Sequence, residues 1–282
     1  MSIKLLKLKE LTREQGNRYS RHILLPAMDW TGQEKLLASH VVVLGLGGLG
    51  CAAAQFLAMS GVGKLTLIDD DVVELSNLQR QVLHSEAKIG MNKALSAKEH
   101  ITLLNSDVVI NVVTKRLAKP ELTDLAQQTE LFVDCTDNLS SRNLLNEVSV
   151  ATNTPLITGA AIRLEGQVCC FFPNSTSLNV TKTTAQATQT PTHSEPVVSV
   201  PCYACFSQLF GKPQQSCMES GVLSPVVGIV GAMQALEVVK YLSGVGVVPN
   251  AKLMLFDAAT SEWRTMKIVV NPNCPVCQTH SE

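Results

Sequence analysis

Residues 45–50 of the chain, GLGGLG, match the pattern G-x-G-x-x-G and follow the apolar run Val41-Val42-Val43-Leu44. Glycines in this pattern allow a tight turn and let backbone N–H groups approach phosphate oxygens at the start of a helix. Asp69 ends the next apolar run, where a carboxylate can accept hydrogen bonds from ribose hydroxyls. The pattern predicts a nucleotide site that includes Gly45, Gly47, Gly48, Gly50 and Asp69. A glycine turn that serves packing alone is the simpler alternative.

Amide and charged side chains lie beyond this second apolar run. The segment Ser76-Asn77-Leu78-Gln79-Arg80 comes first, Lys93 follows it, and Asp137 with Asn138 follows a later apolar run. Two cations and a carboxylate able to hold Mg²⁺ suit a triphosphate under nucleophilic attack, which favours ATP. A dinucleotide dehydrogenase would share the glycine loop, but it needs a nicotinamide pocket and a proton-transfer partner that the sequence does not place. Taken singly, each residue could also be a solvated charge or a helix cap.

Four of the nine cysteines form two Cys-x-x-Cys pairs, Cys202 with Cys205 and Cys274 with Cys277. Two such pairs supply the closed tetrahedral set of thiolates that holds a structural zinc ion. The long separation between the pairs predicts that zinc fastens the end of the chain onto the region after residue 200. Two independent thioredoxin-like redox pairs are the alternative, which Pro275 inside the second pair slightly favours.

The remaining cysteines are of two kinds. Cys217 lies in a polar segment, QQSCMES, where a thiol is accessible to chemistry. The others lie in apolar runs and are predicted to be buried hydrophobic residues; they are Cys51, Cys135, Cys169 and Cys170.

These residues need a scaffold in which strands end side by side. Apolar runs at 41–44 and 64–69 flank a small-residue helix at 51–59, which is the pattern of a βαβ unit. The alternation continues, with helices predicted at 92–104, 120–128 and 138–150 and strands at 107–113, 131–134, 155–160 and 166–172. This order predicts an α/β fold, a Rossmann-like open sheet with helices on both faces.

Residues 173–200 interrupt the alternation, because Ser, Thr, Asn, Gln and Pro dominate them and predict a mobile loop. Beyond the loop, a long helix at 224–242 and antiparallel strands at 252–257 and 263–269 precede the predicted zinc knuckle. We interpret residues 1–282 as one domain. Its parts are N-terminal helices (11–38), a nucleotide-binding α/β core (40–172), the loop (173–200) and a C-terminal part (201–277).

Composition excludes several classes of protein. The chain has 282 residues, of which 45% are hydrophobic, enough for a large core. Its formal net charge of −1 provides no basic field to hold nucleic acid. The N-terminal residues lack the apolar stretch of a signal peptide, and the run at 41–54 is too short and glycine-rich to span a membrane. We therefore expect a cytoplasmic protein without nucleic-acid or membrane partners.

The motifs together resemble the ThiF/MoeB/HesA family, the bacterial relatives of ubiquitin-activating enzymes. The matching segments are RYSR at 18–21, the glycine loop, SNLQRQ at 76–81, DCTDN at 134–138 and both cysteine pairs. The resemblance extends from about Leu11 to Cys277. It implies a ThiF/MoeB-type adenylation domain that uses ATP to activate the C-terminal glycine carboxylate of a ubiquitin-like sulfur-carrier protein. Pyrophosphate leaves, and a sulfurtransferase later converts the adenylate to a thiocarboxylate.

The resemblance also implies roles for individual residues. ATP would be bound by the glycine loop, by Asp69 at the ribose and by the polar segment; the triphosphate residues are Asn77, Arg80 and Lys93. Asp137 would bind Mg²⁺, with Asn138 beside it. Arg21 matches an arginine that reaches into the ATP site of the neighbouring subunit, which implies a homodimer. Cys217 matches the position that bonds covalently to the carrier in ThiF and ubiquitin-activating enzymes, a bond that MoeB-like members do not require.

Within the family, three segments resemble the MoeB branch, which serves molybdopterin synthesis and acts on a MoaD-like carrier. They are GAAIRLEGQ at 159–167, CFSQLFG at 205–211 and MESGVLSP at 218–225. The alternatives are a ThiS-type carrier for thiamine, a HesA-like role, an NAD-dependent oxidoreductase and a non-catalytic scaffold that binds a carrier. The 173–200 segment is longer than the family pattern, and we hypothesise that its residues 176–194 clamp the carrier's tail.

Overall fold

The computed structural model describes residue 8 and residues 10–173, 200–208 and 220–278 of the chain. The predictions made for residues 176–194 and for Cys217 lie outside this described part.

Eight strands form one mixed sheet in the order β3-β2-β1-β4-β5-β6-β7-β8. Their bounds are β1 (His40–Leu44), β2 (Lys64–Ile68), β3 (Val109–Val113), β4 (Leu131–Asp134), β5 (Leu156–Ile162), β6 (Glu165–Phe171), β7 (Lys252–Asp257) and β8 (Glu262–Lys267). The first five strands pair in parallel, and β6, β7 and β8 follow at one edge, each antiparallel to the strand before it. The expected Rossmann-like sheet with C-terminal antiparallel strands is confirmed.

Nine α-helices connect or cover the strands of the described part. They are α1 (Arg13–Arg18), α2 (Ser20–Ile23), α3 (Asp29–Ala38), α4 (Gly48–Met59), α5 (Lys93–Leu104), α6 (Lys119–Ala126), α7 (Leu139–Thr152), α8 (Tyr203–Ser207) and α9 (Ser224–Ser243). Two 3-10 turns, Leu75–Asn77 and Glu86–Lys88, follow β2. The N-terminal segment 11–38 forms three short helices. The chain leaves the second helix after Ile23 and begins the third only at Asp29.

Alternate side chains of the central strands build a core on each face of the sheet, as the pleat of a strand requires. Val41 and Val43 of β1 pack with residues of α4, α5 and α9 on one face. Val42 and Leu44 pack with residues of α6, α7 and α8 on the other. Both faces are covered by helices, which leaves the edge where the parallel strands end as the place for a ligand.

Helix α9 is the one helix of the described residues that is long and apolar enough to cross a membrane by length and composition. It packs against α4, β5 and β6, and more than half of its most apolar window is buried. The helix is therefore a core element of the folded chain.

Candidate functional site

The glycine loop at 45–50 joins β1 to α4. At two of its positions any side chain would collide with backbone atoms. Gly45 has φ +85°, and a Cβ there would lie 2.8 Å from the carbonyl oxygen of Cys135. A Cβ on Gly50 would lie 1.8 Å from the carbonyl oxygen of Gly45. The loop thus turns tightly beside the end of β4, as a phosphate-binding turn must.

The peptide groups of Leu46 are held on both sides. Its N–H donates to Asp69 Oδ2 at 2.6 Å, and its carbonyl oxygen lies 3.1 Å from His84 Nε2. The thiol of Cys51 also donates to that carbonyl, at 3.2 Å. These contacts orient the loop, so that its remaining N–H groups face the ligand side at the N-terminus of α4.

Asp69 lies at the end of β2, next to β1, where the nucleotide pattern predicts it. Its Oδ1 accepts the N–H of Asp71 at 2.9 Å, and its Oδ2 accepts that of Leu46. Burial raises the pKa of the Asp69 carboxyl, and these two N–H groups partly offset the rise. The carboxylate therefore anchors the glycine loop, in addition to its predicted contact with a ribose.

The segment 76–80 forms a turn against this loop. Asn77 is buried and its Oδ1 accepts the N–H of Glu74 at 3.3 Å, while Arg80 Nη1 donates to the carbonyl oxygen of Ser76 at 3.1 Å. Ser76 and Gln79 are exposed and Leu78 is half-buried. The turn thus presents the guanidinium of Arg80 on a short, internally bonded scaffold.

Two ion pairs lie at the mouth of the site. Lys93, whose side chain is only 9% exposed, donates from Nζ to Asp71 Oδ2 at 3.0 Å. Arg116 Nε donates to Asp70 Oδ2 at 2.9 Å. The bond to Asp70 raises the pKa of Arg116 most, and the charges of Asp71 and Asp137 raise it further. Asp137 therefore shares this mouth with the acidic residues that follow β2.

Residues 135–138, here called the Asp137 loop, leave β4 directly beside the glycine loop. Asp137 is exposed, and Asn138 caps α7 by accepting the N–H of Ser141 at 2.9 Å. The alternative prediction that Asn138 caps a helix is thus confirmed. Beneath the loop, the fully buried carboxylate of Asp134 accepts from Thr136 Oγ1 and Thr158 Oγ1, each at 2.7 Å.

Arg21 is the predicted site residue that lies apart from this cluster. It is exposed on α2, which packs against α1 and α3. The others named for ATP and Mg²⁺ lie in segments that follow β1, β2 and β4 or, for Lys93, at the start of α5; they are the glycine loop with Asp69, Ser76, Asn77, Leu78, Gln79, Arg80, Lys93, Asp137 and Asn138.

Sequence reasoning missed several buried polar residues under the site. Gln234 of α9 donates from Nε2 to the carbonyl oxygen of Asp134 at 2.9 Å, and Arg142 of α7 donates to the carbonyl oxygen of Gly159 at 2.8 Å. Arg142 lies four residues after the cap of a predicted helix, a spacing that places both on one face. For His84 and Gln234 the sequence holds no such signal, because their partners are distant in the chain.

The four paired cysteines, here called the cysteine cluster, come together. Their sulfurs all lie within 4.8 Å of one another, with Cys202 3.7 Å from Cys274 and Cys205 3.5 Å from Cys277. Tetrahedral Zn–S bonds of about 2.3 Å separate sulfurs by about 3.8 Å, so the donor set fits zinc. The four sulfurs therefore form one cluster, as a single zinc site requires, rather than two separate pairs.

The electrostatics of the cluster also favour a cation. Burial, followed by the charges of neighbouring thiols, raises the pKa of Cys202 to about 11. Four thiolates in so small a volume need a bound cation to stay deprotonated. The remaining cysteines of the described part are buried singly in the core, as predicted; they are Cys51, Cys135, Cys169 and Cys170.

Comparison with known proteins agrees with this geometry. Residues 19–276 match the model of the ThiF family. The chain belongs to the ThiF family.

Two curated relatives come from Escherichia coli K12. A molybdopterin-synthase adenylyltransferase is 43% identical over 95% of this chain and 98% of its own length. A sulfur carrier protein ThiS adenylyltransferase is 40% identical over 92% and 94%. A crystal structure of E. coli MccB with ATP aligns with a TM-score of 0.70, at 25% identity, over 93% of this chain and 74% of that one. The family member described here is thus an adenylyltransferase with a Rossmann-like core.

Proposed function

We propose that the protein uses ATP to adenylate the C-terminal glycine carboxylate of a ubiquitin-like sulfur carrier, the MoaD-like small subunit of molybdopterin synthase, in molybdenum cofactor biosynthesis. The observation that carries the proposal is 43% identity along nearly the whole length of a molybdopterin-synthase adenylyltransferase. The carboxylate attacks the α-phosphorus of ATP, and pyrophosphate is displaced. A sulfurtransferase then acts on the acyl-adenylate.

The chain's own residues bind the substrate and offset charge. The glycine loop and the N-terminus of α4 receive phosphate oxygens, while Arg80 and Lys93 stabilise the negative charge of the leaving pyrophosphate. Lys93 is already buried beside Asp71, so binding ATP requires only an exchange of its anionic partner. Little covalent work is left to the protein, which brings together two anions that repel each other.

Mg²⁺ fits the exposed carboxylate of Asp137, because hard divalent cations prefer carboxylate oxygens. Asp70 and Asp71 are engaged by Arg116 and Lys93. The ion would neutralise phosphate charge during the displacement.

A homodimer completes the proposal. The outer faces of α4 and α9 carry exposed apolar side chains at helical spacing, on a patch of the kind that marks protein interfaces; they are Phe56, Met59, Ile229 and Leu236. A second copy seated there hides the patch, and Arg21 then serves the partner's ATP site. A cytoplasmic location suits such an enzyme, whose substrate is a small carrier protein and whose thiols stay reduced.

The ThiS-type carrier of thiamine synthesis is the second candidate substrate. It is favoured by 40% identity to a ThiS adenylyltransferase, which differs little from the 43% of the first relative. The choice between carriers depends on the surface that receives the carrier, and neither the glycine loop nor the Asp137 loop distinguishes them.

ATP–pyrophosphate exchange with each purified carrier tests the proposal. Exchange with the MoaD-like carrier and none with the ThiS-like carrier is expected. The reverse selectivity would assign the protein to thiamine synthesis. Exchange with neither carrier would indicate a non-catalytic scaffold. Asp137→Ala should abolish exchange with the zinc content retained, whereas Asp124→Ala, an exposed aspartate on α6, should exchange like the wild type.

A further inference from the structure

Helix α7 touches two features that the proposed function treats separately. Its N-terminus begins at the Asp137 loop, and the same helix passes beside Cys202 of the cysteine cluster. Arg142 and Asn146 lie one turn apart on α7, so their side chains share one face, and both are buried. This face therefore joins the loop to the cluster.

Arg142 supports the Asp137 loop from below. One of its guanidinium nitrogens, Nη2, donates both to the carbonyl oxygen of Thr136 and, at 2.8 Å, to that of Gly159. Thr136 immediately precedes Asp137 in the chain. Because Gly159 belongs to β5, the guanidinium fixes the loop to a strand of the central sheet.

Tyr203 and Asn146 continue the contact to the cysteines. Tyr203, which follows Cys202 in the chain, donates its backbone N–H to Asn146 Oδ1 at 2.8 Å. Asn146 Nδ2 in turn donates to Cys202 Sγ at 3.5 Å. Helix α7 is thus bonded to a predicted zinc ligand through Asn146 and to the residue before Asp137 through Arg142.

A buried guanidinium is costly unless charge and carbonyl groups compensate it. The carbonyl oxygens of Thr136 and Gly159 accept from it, and the buried carboxylate of Asp134 accepts from Thr136 Oγ1 in the same loop. Such a network is stable when every member is satisfied, and loss of one member disturbs the others.

We propose that Arg142 is a positioning residue for the Asp137 loop, and that Asn146 couples this loop, through helix α7, to the cysteine cluster, so that zinc and magnesium-bound ATP strengthen each other's binding. The proposal rests on the proposed function, in that Asp137 holds the magnesium ion. Coupling between two sites is reciprocal: if zinc raises the affinity for MgATP, MgATP must raise the affinity for zinc by the same factor.

The first experiment measures MgATP binding by calorimetry, with zinc-loaded and zinc-stripped protein and with near-ultraviolet circular dichroism as the check on folding. Stripping zinc should weaken MgATP binding about tenfold, a typical coupling between sites. Zinc-loaded Asn146→Ala, which loses the bonds to Tyr203 and Cys202, should already bind MgATP several-fold more weakly and respond less to stripping. Asn143→Ala, a half-buried asparagine of the same helix, should behave as the wild type.

The second experiment keeps the protein zinc-loaded and follows release of zinc to a chromogenic chelator, with and without saturating MgATP. MgATP should slow the release in wild type and not in Asn146→Ala. Arg142→Lys, which keeps the charge and loses the forked geometry, should raise the Mg²⁺ concentration needed for ATP binding and leave magnesium-free ATP binding unchanged.

Equal zinc release with and without MgATP in wild type would overturn the proposal, even if the stripped protein unfolds. Equal MgATP affinity of loaded and stripped, folded protein would do the same. Because both readouts are binding measurements, they are independent of carrier adenylation. If zinc and MgATP binding prove to be coupled but the protein shows no ATP–pyrophosphate exchange, the proposed function is contradicted and the coupling is not.

Discussion

At the scale of single residues, the site depends on the two peptide groups that flank the Cα of Leu46. The N–H of Leu46 is fixed by Asp69, and its carbonyl oxygen by His84 and Cys51. His84 is itself held by Ser96 Oγ, 3.0 Å from its Nδ1. The glycines give the loop its freedom to turn, and these buried partners select one conformation from that freedom.

The titration of His84 makes the stability of this loop conformation depend on pH. Burial lowers the pKa of His84, and the charges of Lys93 and His100 lower it further. Between the folded pKa and the unfolded value of about 6.5, the unfolded chain binds more protons than the folded one. The free energy of unfolding should therefore fall as the pH drops below about 6.5, before the carboxylates titrate.

The variant that tests this is His84→Phe, followed by urea unfolding between about pH 7.5 and about pH 5, a range that spans the ordinary histidine pKa. Its free energy of unfolding should vary less with pH than that of the wild type, and its KM for ATP should rise, by about tenfold at most, since a hydrogen bond contributes about 1 kcal/mol. His22→Gln, a half-buried histidine on α2 that is not among the groups that shift the pKa of His84, is the control. An unchanged pH slope in His84→Phe would exclude this histidine as the titrating group.

The site residues were predictable from the sequence where their identification depends on local spacing. The glycine pattern, the Asp69 position and the two cysteine pairs each follow from types and intervals within a short segment. Asp134, His84 and Gln234 were not predicted as site residues, because a buried polar side chain is identified by its partners. Those partners come from other elements, as with the carbonyl oxygen of Leu46 for His84.

At the scale of elements, α9 sets the position of the glycine loop although it lies far from it in sequence. A Cβ on Gly48 would lie 2.7 Å from Val227 Cγ2, and a Cβ on Gly231 would lie 2.3 Å from the carbonyl oxygen of Leu49. The first turn of α4 is therefore pressed against α9, with no room for an added methyl group at either glycine.

Gly231→Ala should push α4 and the glycine loop away from α9. Overpacking of this kind costs about 1–3 kcal/mol of unfolding free energy, and the displaced loop should bind ATP more weakly. Gly228→Ala is the matched control on the same helix, where a Cβ meets no atom within 4 Å. That change should stabilise the protein by about 0.5–1 kcal/mol. Urea unfolding and ATP calorimetry measure both; equal behaviour of the two variants would refute the packing argument.

Most elements were predictable, because their periodicity is local. Strands at 131–134 and 252–257 occur as predicted, and the helix predicted at 224–242 occurs as Ser224–Ser243. The helices predicted within 11–38 occur as three short ones, and only the breaks between them were not predicted. Helix α8 was missed because its five residues give too little periodicity to detect.

At the scale of the whole molecule, the proposed dimer would bring Arg21 of one copy to the residues proposed to bind ATP in the other. Arg21 lies on α2, at the N-terminal end of the chain, while Asp137 follows β4 at the edge of the sheet. The exposed apolar patch on α4 and α9 provides a surface on which two copies can meet. In a symmetric dimer each copy gives and receives the same contact, so two equivalent shared sites result.

Mixing two inactive variants tests whether Arg21 acts across that interface. Arg21→Ala and Asp137→Ala should each lack exchange activity alone. Refolded together in equal amounts, they should recover about a quarter of wild-type activity, since half of the dimers are mixed and each mixed dimer has one site with both residues intact. If Arg21 served its own chain, every site in the mixture would lack one residue and no activity would return. A mixture of Arg21→Ala with the double variant Arg21→Ala/Asp137→Ala, which has no intact combination, is the control for recovery caused by refolding itself.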